Sequence, residues 1–172
     1  ADAGIQLIPG CEMTSDTGAH IIGLFIKTAV SGKPAPEIID HILRQDGLVY
    51  IPHPFKPDSG LLWTQPVEHK ENQYVMDKAH FIELYNGGWD ARPYQKQIRH
   101  LAENFNLRLV AGSDSHKVWQ VGFFKNRLTV PEFPLDAGSL LNASIEFLTL
   151  TTSKMGAQTG GHNTNKRLIK NI

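Results

Sequence analysis

Five residues that can bind a metal or move a proton lie at the ends of short apolar segments of this sequence. They are Glu12, His20, His53, Asp114 and His116. Two carboxylates and three imidazoles form a mixed oxygen and nitrogen set that suits Zn²⁺, Mn²⁺ or Fe²⁺ and matches Ca²⁺ poorly. A carboxylate can also bridge two ions, which is how hydrolytic centres with several metals are commonly built. These residue types predict a metal-dependent hydrolase site.

The clearest element is Gly112-Ser113-Asp114-Ser115-His116, an Asp-x-His pair after a buried segment. On extended backbone, residues i and i+2 point the same way, so both side chains could address one metal cluster. Each signal also has an ordinary explanation, since Asp-x-His occurs in polar loops, His53 between two prolines suits a turn, and Glu12 beside Pro-Gly is more often solvated. Their coincidence at successive segment ends favours a site.

Alternating strands and helices would position these residues. Apolar runs bounded by Gly, Pro or Asn predict strands at residues 5–8, 20–26, 48–51, 81–85 and 108–111. Apolar residues at helical spacing predict helices at residues 37–46 and 94–105, and residues 126–130, 135–142 and 146–150 are candidates for closing elements. This order is typical of an α/β fold with a largely parallel sheet, whose strands end at one edge where active sites form. Glu12 is expected just after the first strand.

Composition limits the classes of protein to consider. The 172 residues include 41% apolar residues, carry no net charge and contain one cysteine. They suit one domain with a core and give no electrostatic reason for a nucleic-acid or membrane partner. We expect a cytoplasmic protein whose domain spans residues 1–150, with residues 151–172 as a flexible tail or linker.

Several motifs in order resemble the polymerase and histidinol phosphatase (PHP) domain family. The matching motifs are Ile8-Pro9-Gly10-Cys11-Glu12, His20-Ile21-Ile22-Gly23-Leu24, His53-Pro54-Phe55, Glu83-Leu84-Tyr85-Asn86, Gly112-Ser113-Asp114-Ser115-His116 and Val121-Gly122. The resemblance covers about residues 5–125. It implies the C-terminal two-thirds of a distorted (β/α)7 barrel, a centre with two or three divalent ions (Zn, Mn or Fe) when complete, and phosphoester hydrolysis.

The resemblance also implies roles for single residues. Glu12 would be the bridging carboxylate, His20 and His53 would be imidazole ligands, and Asp114 and His116 would be the last pair of metal ligands. Glu12, Asp114 and His116 are accordingly the predicted catalytic residues.

Three further residues match the family around this set. Lys56 stands where relatives often carry a basic residue, and we expect it to clamp a phosphate, against the alternative of an ordinary surface lysine. Glu83 and Asn86 match a motif that is mainly structural, so neither is counted among the ligands.

The sequence departs from the family pattern at its start. The opening His-x-His motif and the next histidine are absent before Ile5. Three explanations are open: the chain is a fragment of a longer protein, which we favour; another chain supplies the ligands; or the domain is degenerate. We therefore expect this chain alone to have weak or no activity.

The predicted reaction is hydrolysis of a phosphomonoester or phosphodiester, in a phosphorylated small molecule or nucleotide, by a metal-activated hydroxide. One alternative is a catalytically incomplete module that serves interaction or regulation in a larger protein. Another is an amidohydrolase-like enzyme acting on C–N bonds, which would often need a bridging lysine at a strand end.

Overall fold

Five strands form the main sheet in the order in which they occur along the chain. The strands are β1 (Gly10–Thr14), β2 (His20–Leu24), β3 (Leu48–Ile51), β4 (Phe81–Asn86) and β5 (Arg108–Gly112). Strands β1, β2 and β3 pair antiparallel, whereas β3, β4 and β5 pair parallel. The computed structural model describes residues 5–63, 65–130 and 133–149.

Three helices cover one face of this sheet: α1 (Ala35–Leu43), α2 (Lys70–Lys78) and α3 (Gln95–Asn104). Their apolar sides form one core with the sheet, in which Ile38 of α1, Met76 of α2 and Ile98 of α3 are fully buried. Burying each such side chain contributes about 1.5–3 kcal/mol. The helices therefore anchor the sheet from one side and leave its other face for different contacts.

The other face carries a smaller core and the polar residues. The short helix α4 (Ala137–Asn142) places Leu140 against Leu48, Phe81 and Val110. Next to it, β6 (Phe124–Thr129) and β7 (Ser144–Thr149) pair antiparallel as a separate two-stranded sheet. Single 3₁₀ turns occur at Arg92–Tyr94 and Val118–Gln120.

Strand register explains which polar residues share this second face. Glu12 pairs with Ile22, and Ile22 pairs with Tyr50, so all three point to the same side of the sheet. The intervening Met13 points the other way and is fully buried in the helix-covered core. The face opposite the three long helices is therefore the one on which a site can form.

The α/β class and strands β2 to β5 are confirmed, but three expectations were wrong. Residues 5–8 are not a strand: Ile5 and Leu7 are 75% and 86% exposed, and Glu12 lies inside β1 rather than after it. The sheet is mixed rather than largely parallel. Helix α2 was not predicted, because its sequence is mostly polar and only Asn72, Val75 and Met76 are buried.

The proposed tail, residues 151–172, lies outside the described residues. Within residues 5–63, 65–130 and 133–149, no helix is both long and apolar enough to cross a membrane.

Candidate metal centre

The hairpin of β1 and β2 brings Glu12 and His20 together. Thr14 pairs with His20 and Glu12 pairs with Ile22, so Glu12 and His20 lie on the same face of adjacent strands. Their side chains approach to 3.3 Å between Glu12 Oε1 and His20 Nδ1. Because β2 runs antiparallel to β3, its first residue lies at the sheet edge where β3 ends.

His53 reaches the same point from the turn after β3. Its backbone takes a φ of +27°, which residues other than glycine seldom adopt, and this turns the chain immediately after Pro52. The ring Nε2 lies 3.4 Å from Glu12 Oε1, and the side chain is 2% exposed. A third potential ligand thus joins Glu12 and His20.

The geometry and charge of this trio suit a divalent cation. Ligand atoms of Glu12, His20 and His53 all lie within 4.8 Å of one another. The contact with His53 lowers the pKa of Glu12 more than partial burial raises it, and His20 lowers it further. Among the described residues, the buried His20 Nδ1, which faces Glu12 Oε1, has no hydrogen-bond partner. A carboxylate held ionised beside His20 Nδ1 and His53 Nε2 is a donor set that suits a transition metal or zinc.

A buried carboxyl, Glu83 of β4, holds the His53 turn in place. Glu83 is 3% exposed, and it accepts hydrogen bonds from the His53 backbone N–H at 2.7 Å and the Tyr50 hydroxyl at 2.5 Å. Asn86 Nδ2 donates a third hydrogen bond at 2.8 Å. Burial raises the pKa of Glu83, although all three donors favour its ionised form. Glu83 therefore serves as a support beneath the trio.

Gly112 at the end of β5 makes room for that support. A Cβ atom at Gly112 would lie 1.8 Å from Glu83 Oε1 and 2.8 Å from the Tyr50 hydroxyl oxygen. Those distances are far below a van der Waals contact, so the position requires a residue without a side chain.

Asp114 lies beside the trio and is paired with Lys56. Asp114 Oδ2 and Lys56 Nζ are 3.1 Å apart, and the Asp114 side chain is 13% exposed. Burial alone would raise the pKa of Asp114, but the hydrogen bond and charge of Lys56 outweigh it, and the pKa is lowered. The positive charge of His53 or His116, when protonated, acts in the same direction. A second carboxylate is thus ionised next to the candidate ligands.

His116 lies beside Asp114 on a backbone that differs from the expected one. Asp114 has a φ of +45°, so the backbone of the Asp-x-His pair is not extended, yet His116 Nδ1 lies 3.5 Å from Asp114 Oδ1. The His116 side chain is 77% exposed, and its Nδ1 lies 2.9 Å from the Asp114 carbonyl oxygen. Among the described residues, the group whose ligand atoms lie within 4.8 Å of one another contains Glu12, His20 and His53 but neither Asp114 nor His116.

Comparison with known proteins shows a similarity to PHP proteins. A sequence profile described as PHP-associated matches residues 94–143. The fold is similar to a two-domain protein from Bacteroides vulgatus containing a predicted PHP-like metal-dependent phosphoesterase, with 18% identity, a TM-score of 0.53, and coverage of 84% of this chain and 38% of that one. Residues 94–143 therefore match a PHP-associated profile, and the fold of the chain is similar to that of a protein containing a PHP-like domain.

Other proteins are similar to this chain as well. PsfC from Pseudomonas syringae gives a TM-score of 0.61 at 16% identity, over 83% of this chain and 59% of that one. The lesion-specific endonuclease Q of Pyrococcus furiosus gives 0.57 at 17% identity, over 80% and 40%. The uncharacterized protein MJ0417 of Methanocaldococcus jannaschii is 28% identical over 118 residues, which are 67% of this chain and 48% of that protein. The chain thus spans about half the length of this curated relative.

Sequence reasoning missed the role of Tyr50. Strand β3 alternates Val49 and Ile51 on the helix-covered side with Tyr50 on the other, and buried tyrosine hydroxyls usually need a partner. That alternation was the available signal, but the identity of the partner, Glu83 on the next strand, depends on the three-dimensional pairing.

Proposed function

We propose that this chain supplies most of the metal site of a metal-dependent phosphoester hydrolase. The observation that carries the proposal is the convergence of Glu12, His20 and His53, with their ligand atoms within 4.8 Å, next to the ionised Asp114. The solved proteins with a similar fold include one containing a predicted PHP-like metal-dependent phosphoesterase and one lesion-specific endonuclease, which supports a phosphoester substrate.

In this proposal Glu12, His20 and His53 hold divalent ions, and Asp114 and His116 complete the ligand set on the solvent side. Zn, Mn or Fe bound there would neutralise phosphate charge and lower the pKa of water toward neutrality. We further propose that the mixed sheet is part of the distorted (β/α)7 barrel that the family resemblance implies.

In this proposal Lys56 binds the phosphate group of the substrate. Its ammonium group now pairs with Asp114 at 3.1 Å. When Asp114 turns its charge toward a cation, Lys56 is free to donate to a phosphate oxygen, because ammonium groups bind phosphate as point charges. Lys56 would thus orient the phosphate for attack.

The reaction forms one bond and breaks one bond at phosphorus. The oxygen of water attacks phosphorus in line, and the bond from phosphorus to the leaving oxygen breaks with its electron pair on that oxygen. The departing oxygen takes up a proton from solvent water, and the attacking water releases one. Products are an alcohol and a phosphate, or a phosphomonoester if the substrate is a diester.

Metal content and turnover measured on the same preparations test the proposal. The chain, and a longer form of the protein if the gene encodes one, are reconstituted with Zn²⁺, Mn²⁺ or Fe²⁺ and assayed with para-nitrophenyl phosphate and bis-para-nitrophenyl phosphate. Glu12→Gln should weaken metal binding more than about 100-fold, because even residues that only support ligands contribute about 10–100-fold. Asp114→Ala and His116→Ala should lower turnover.

A matched control is Glu103→Gln, the same change at an exposed carboxylate on α3, which should bind metal and act as the unaltered chain does. Metal-free protein without turnover in every form would overturn the proposal. Bound metal without phosphoester hydrolysis in the longer form would overturn the phosphoesterase assignment in favour of a C–N hydrolase or a non-catalytic module.

A further inference from the structure

The last strand of the main sheet, β5, has an outer edge that no further strand extends in the described part of the chain. In a parallel sheet the peptide groups of a strand point alternately to its two sides. The Arg108 N–H and the Gly112 carbonyl both pair on the β4 side, so the N–H and carbonyl of Ala111 point away from β4. Ala111 is 7% exposed, and buried peptide groups need hydrogen-bond partners.

The side chain of Asn126 on β6 supplies these partners. Its Oδ1 accepts from the Ala111 N–H at 2.9 Å, and its Nδ2 donates to the Ala111 carbonyl oxygen at 2.8 Å. A primary amide carries a donor and an acceptor side by side, so this single side chain pairs with Ala111 as a further strand would. Because β6 itself pairs with β7 in a separate sheet, Asn126 links that sheet to the end of β5.

Two glycines that follow β4, Gly87 and Gly88, hold the opposite side of the same segment. The Gly87 N–H donates to the Gly112 carbonyl oxygen at 2.9 Å. A Cβ atom at either glycine would overlap atoms of Ser113 or Asp114, so the backbone after β4 lies directly against these residues. The segment that leads from β5 into Asp114 is therefore held between this backbone and the side chain on β6.

The position of the Asp114 carboxylate depends on where this segment ends. Asp114 is three residues beyond Ala111, and its Oδ2 lies 3.1 Å from Lys56 Nζ. A displacement of about 1 Å would take the carboxylate out of hydrogen-bond distance of Lys56. A small shift at the end of β5 would thus change the surroundings of a candidate metal ligand.

We propose that Asn126 is a positioning residue, which acts on the candidate metal centre through Ala111 and Asp114. Its side-chain amide fixes the end of β5 and so sets where the Asp114 carboxylate lies. The inference rests on the proposed function, since it takes Asp114 to be a metal ligand. It adds a residue of β6 to a site whose other members lie on or next to the main sheet.

Amide hydrogen exchange in the metal-free chain measures the contact itself. Asn126→Leu keeps the size and branching of the side chain but removes both hydrogen bonds to Ala111. We expect the Ala111 amide to exchange about 2- to 10-fold faster in this variant. The Arg108 amide, which pairs on the β4 side, is an internal reference and should exchange at an unchanged rate. Equal exchange of Ala111 in the two chains would overturn the proposal.

Zinc titration of single and double variants tests whether the effect passes through Asp114. Asn126→Leu should weaken Zn²⁺ binding about 10–100-fold, the loss typical of residues that support metal ligands. In the Asp114→Ala chain the same change should alter zinc affinity by less than about 2-fold, because residues that act through one another are not additive. A loss of equal size in both backgrounds would show a general structural effect and overturn the proposal.

Asn142→Leu is the matched control. Asn142 is an exposed residue of α4 that also donates to a backbone carbonyl, that of Gly138, at 3.0 Å. This variant should match the unaltered chain in zinc affinity and in Ala111 exchange.

A second variant keeps the test valid if Asn126→Leu fails to fold by circular dichroism. Asn126→Asp can still accept from the Ala111 N–H, but its ionised carboxylate cannot donate to the Ala111 carbonyl, so zinc affinity should be intermediate. A chain that binds no zinc in any form would reject the proposed function and this role of Asn126 with it. Zinc binding that neither Asn126 variant changes would reject the positioning role alone.

Discussion

Replacing Gly112 with alanine tests whether the buried Glu83 carboxyl supports the candidate metal centre. The new methyl group would lie 1.8 Å from Glu83 Oε1 and 2.8 Å from the Tyr50 hydroxyl oxygen. Displacing the end of a flexible side chain is often cheap. Here it is not, because Glu83 is 3% exposed and accepts hydrogen bonds from Tyr50, Asn86 and the His53 backbone.

Two free-energy costs set how far Gly112→Ala lowers the stability of the fold. Forcing an extra methyl group into a packed region costs about 1–3 kcal/mol. Leaving a buried donor without its acceptor costs about 1–3 kcal/mol more. We therefore expect Gly112→Ala to lower the free energy of unfolding by about 2–6 kcal/mol, which corresponds to roughly 4–24 °C in Tm for a domain of this size. Loss of the His53 backbone contact should also weaken metal binding about 10–100-fold.

Thermal unfolding and metal titration measure the two effects. Gly138→Ala is the matched control: it lies exposed in α4, and an added Cβ would meet only Asp136 Oδ1, at 3.6 Å. There the same substitution should raise stability by up to about 1 kcal/mol, because alanine favours a helix over glycine. If Gly112→Ala unfolded at the same temperature as the unaltered chain and bound metal equally well, the role assigned to Glu83 would be refuted.

Three further predictions concern the metal, the phosphate and pH. Zinc or manganese at 100 times its Kd should stabilise the chain by about 2.7 kcal/mol, and Glu12→Gln should remove this gain. Lys56→Met should raise the pKa of Asp114, since Lys56 lowers it, and weaken inorganic phosphate binding on the order of 10-fold, measured by calorimetry. The Nδ1 of His80 accepts from the Val49 N–H at 3.0 Å, and burial lowers its pKa. Stability from this contact should be full above the unfolded-chain pKa of about 6.5 and lost as the pH falls from there through the lower folded-state pKa.

Conservative variants serve as controls for these predictions. Lys56→Arg keeps the positive charge and should retain most phosphate affinity; equal phosphate binding by Lys56→Met would contradict the clamp. His80→Asn keeps an acceptor near the position of Nδ1 but does not titrate. Its unfolding free energy should therefore fall less between pH 7 and pH 5 than that of the unaltered chain, and an unchanged slope would count against His80.

The parts of the fold that could be predicted are those encoded by local pattern. Strands β3 and β5 are apolar runs closed by Pro52 and Gly112, and α3 shows buried residues at helical spacing. The approach of His20 to His53 could also be anticipated, because both lie near the ends of predicted strands. Glu12 was expected after a strand at residues 5–8 that does not form, so its place in the trio depends on the pairing of β1 with β2.

Other features depend on which segments pair in space. Residues 5–8 are as apolar as a buried strand, yet Ile5 and Leu7 are exposed, and β1 begins at Gly10 because β2 pairs with the segment that alternates Glu12 and Met13. The position of His116 follows from the φ of +45° at Asp114, a conformation that residue type permits but does not dictate.

The antiparallel order of β1, β2 and β3 has a consequence for how the site assembles. Three of the candidate ligands lie within the first third of the chain and are joined by pairings between consecutive strands, whereas Lys56 and Asp114 meet only after β4 and β5 have added in parallel. Contacts between residues close in sequence require less loop closure and form sooner than distant ones. During synthesis on the ribosome, β1, β2 and β3 can therefore pair before the segment carrying Asp114 exists, and Glu83 of β4 fixes the His53 turn before Asp114 is added.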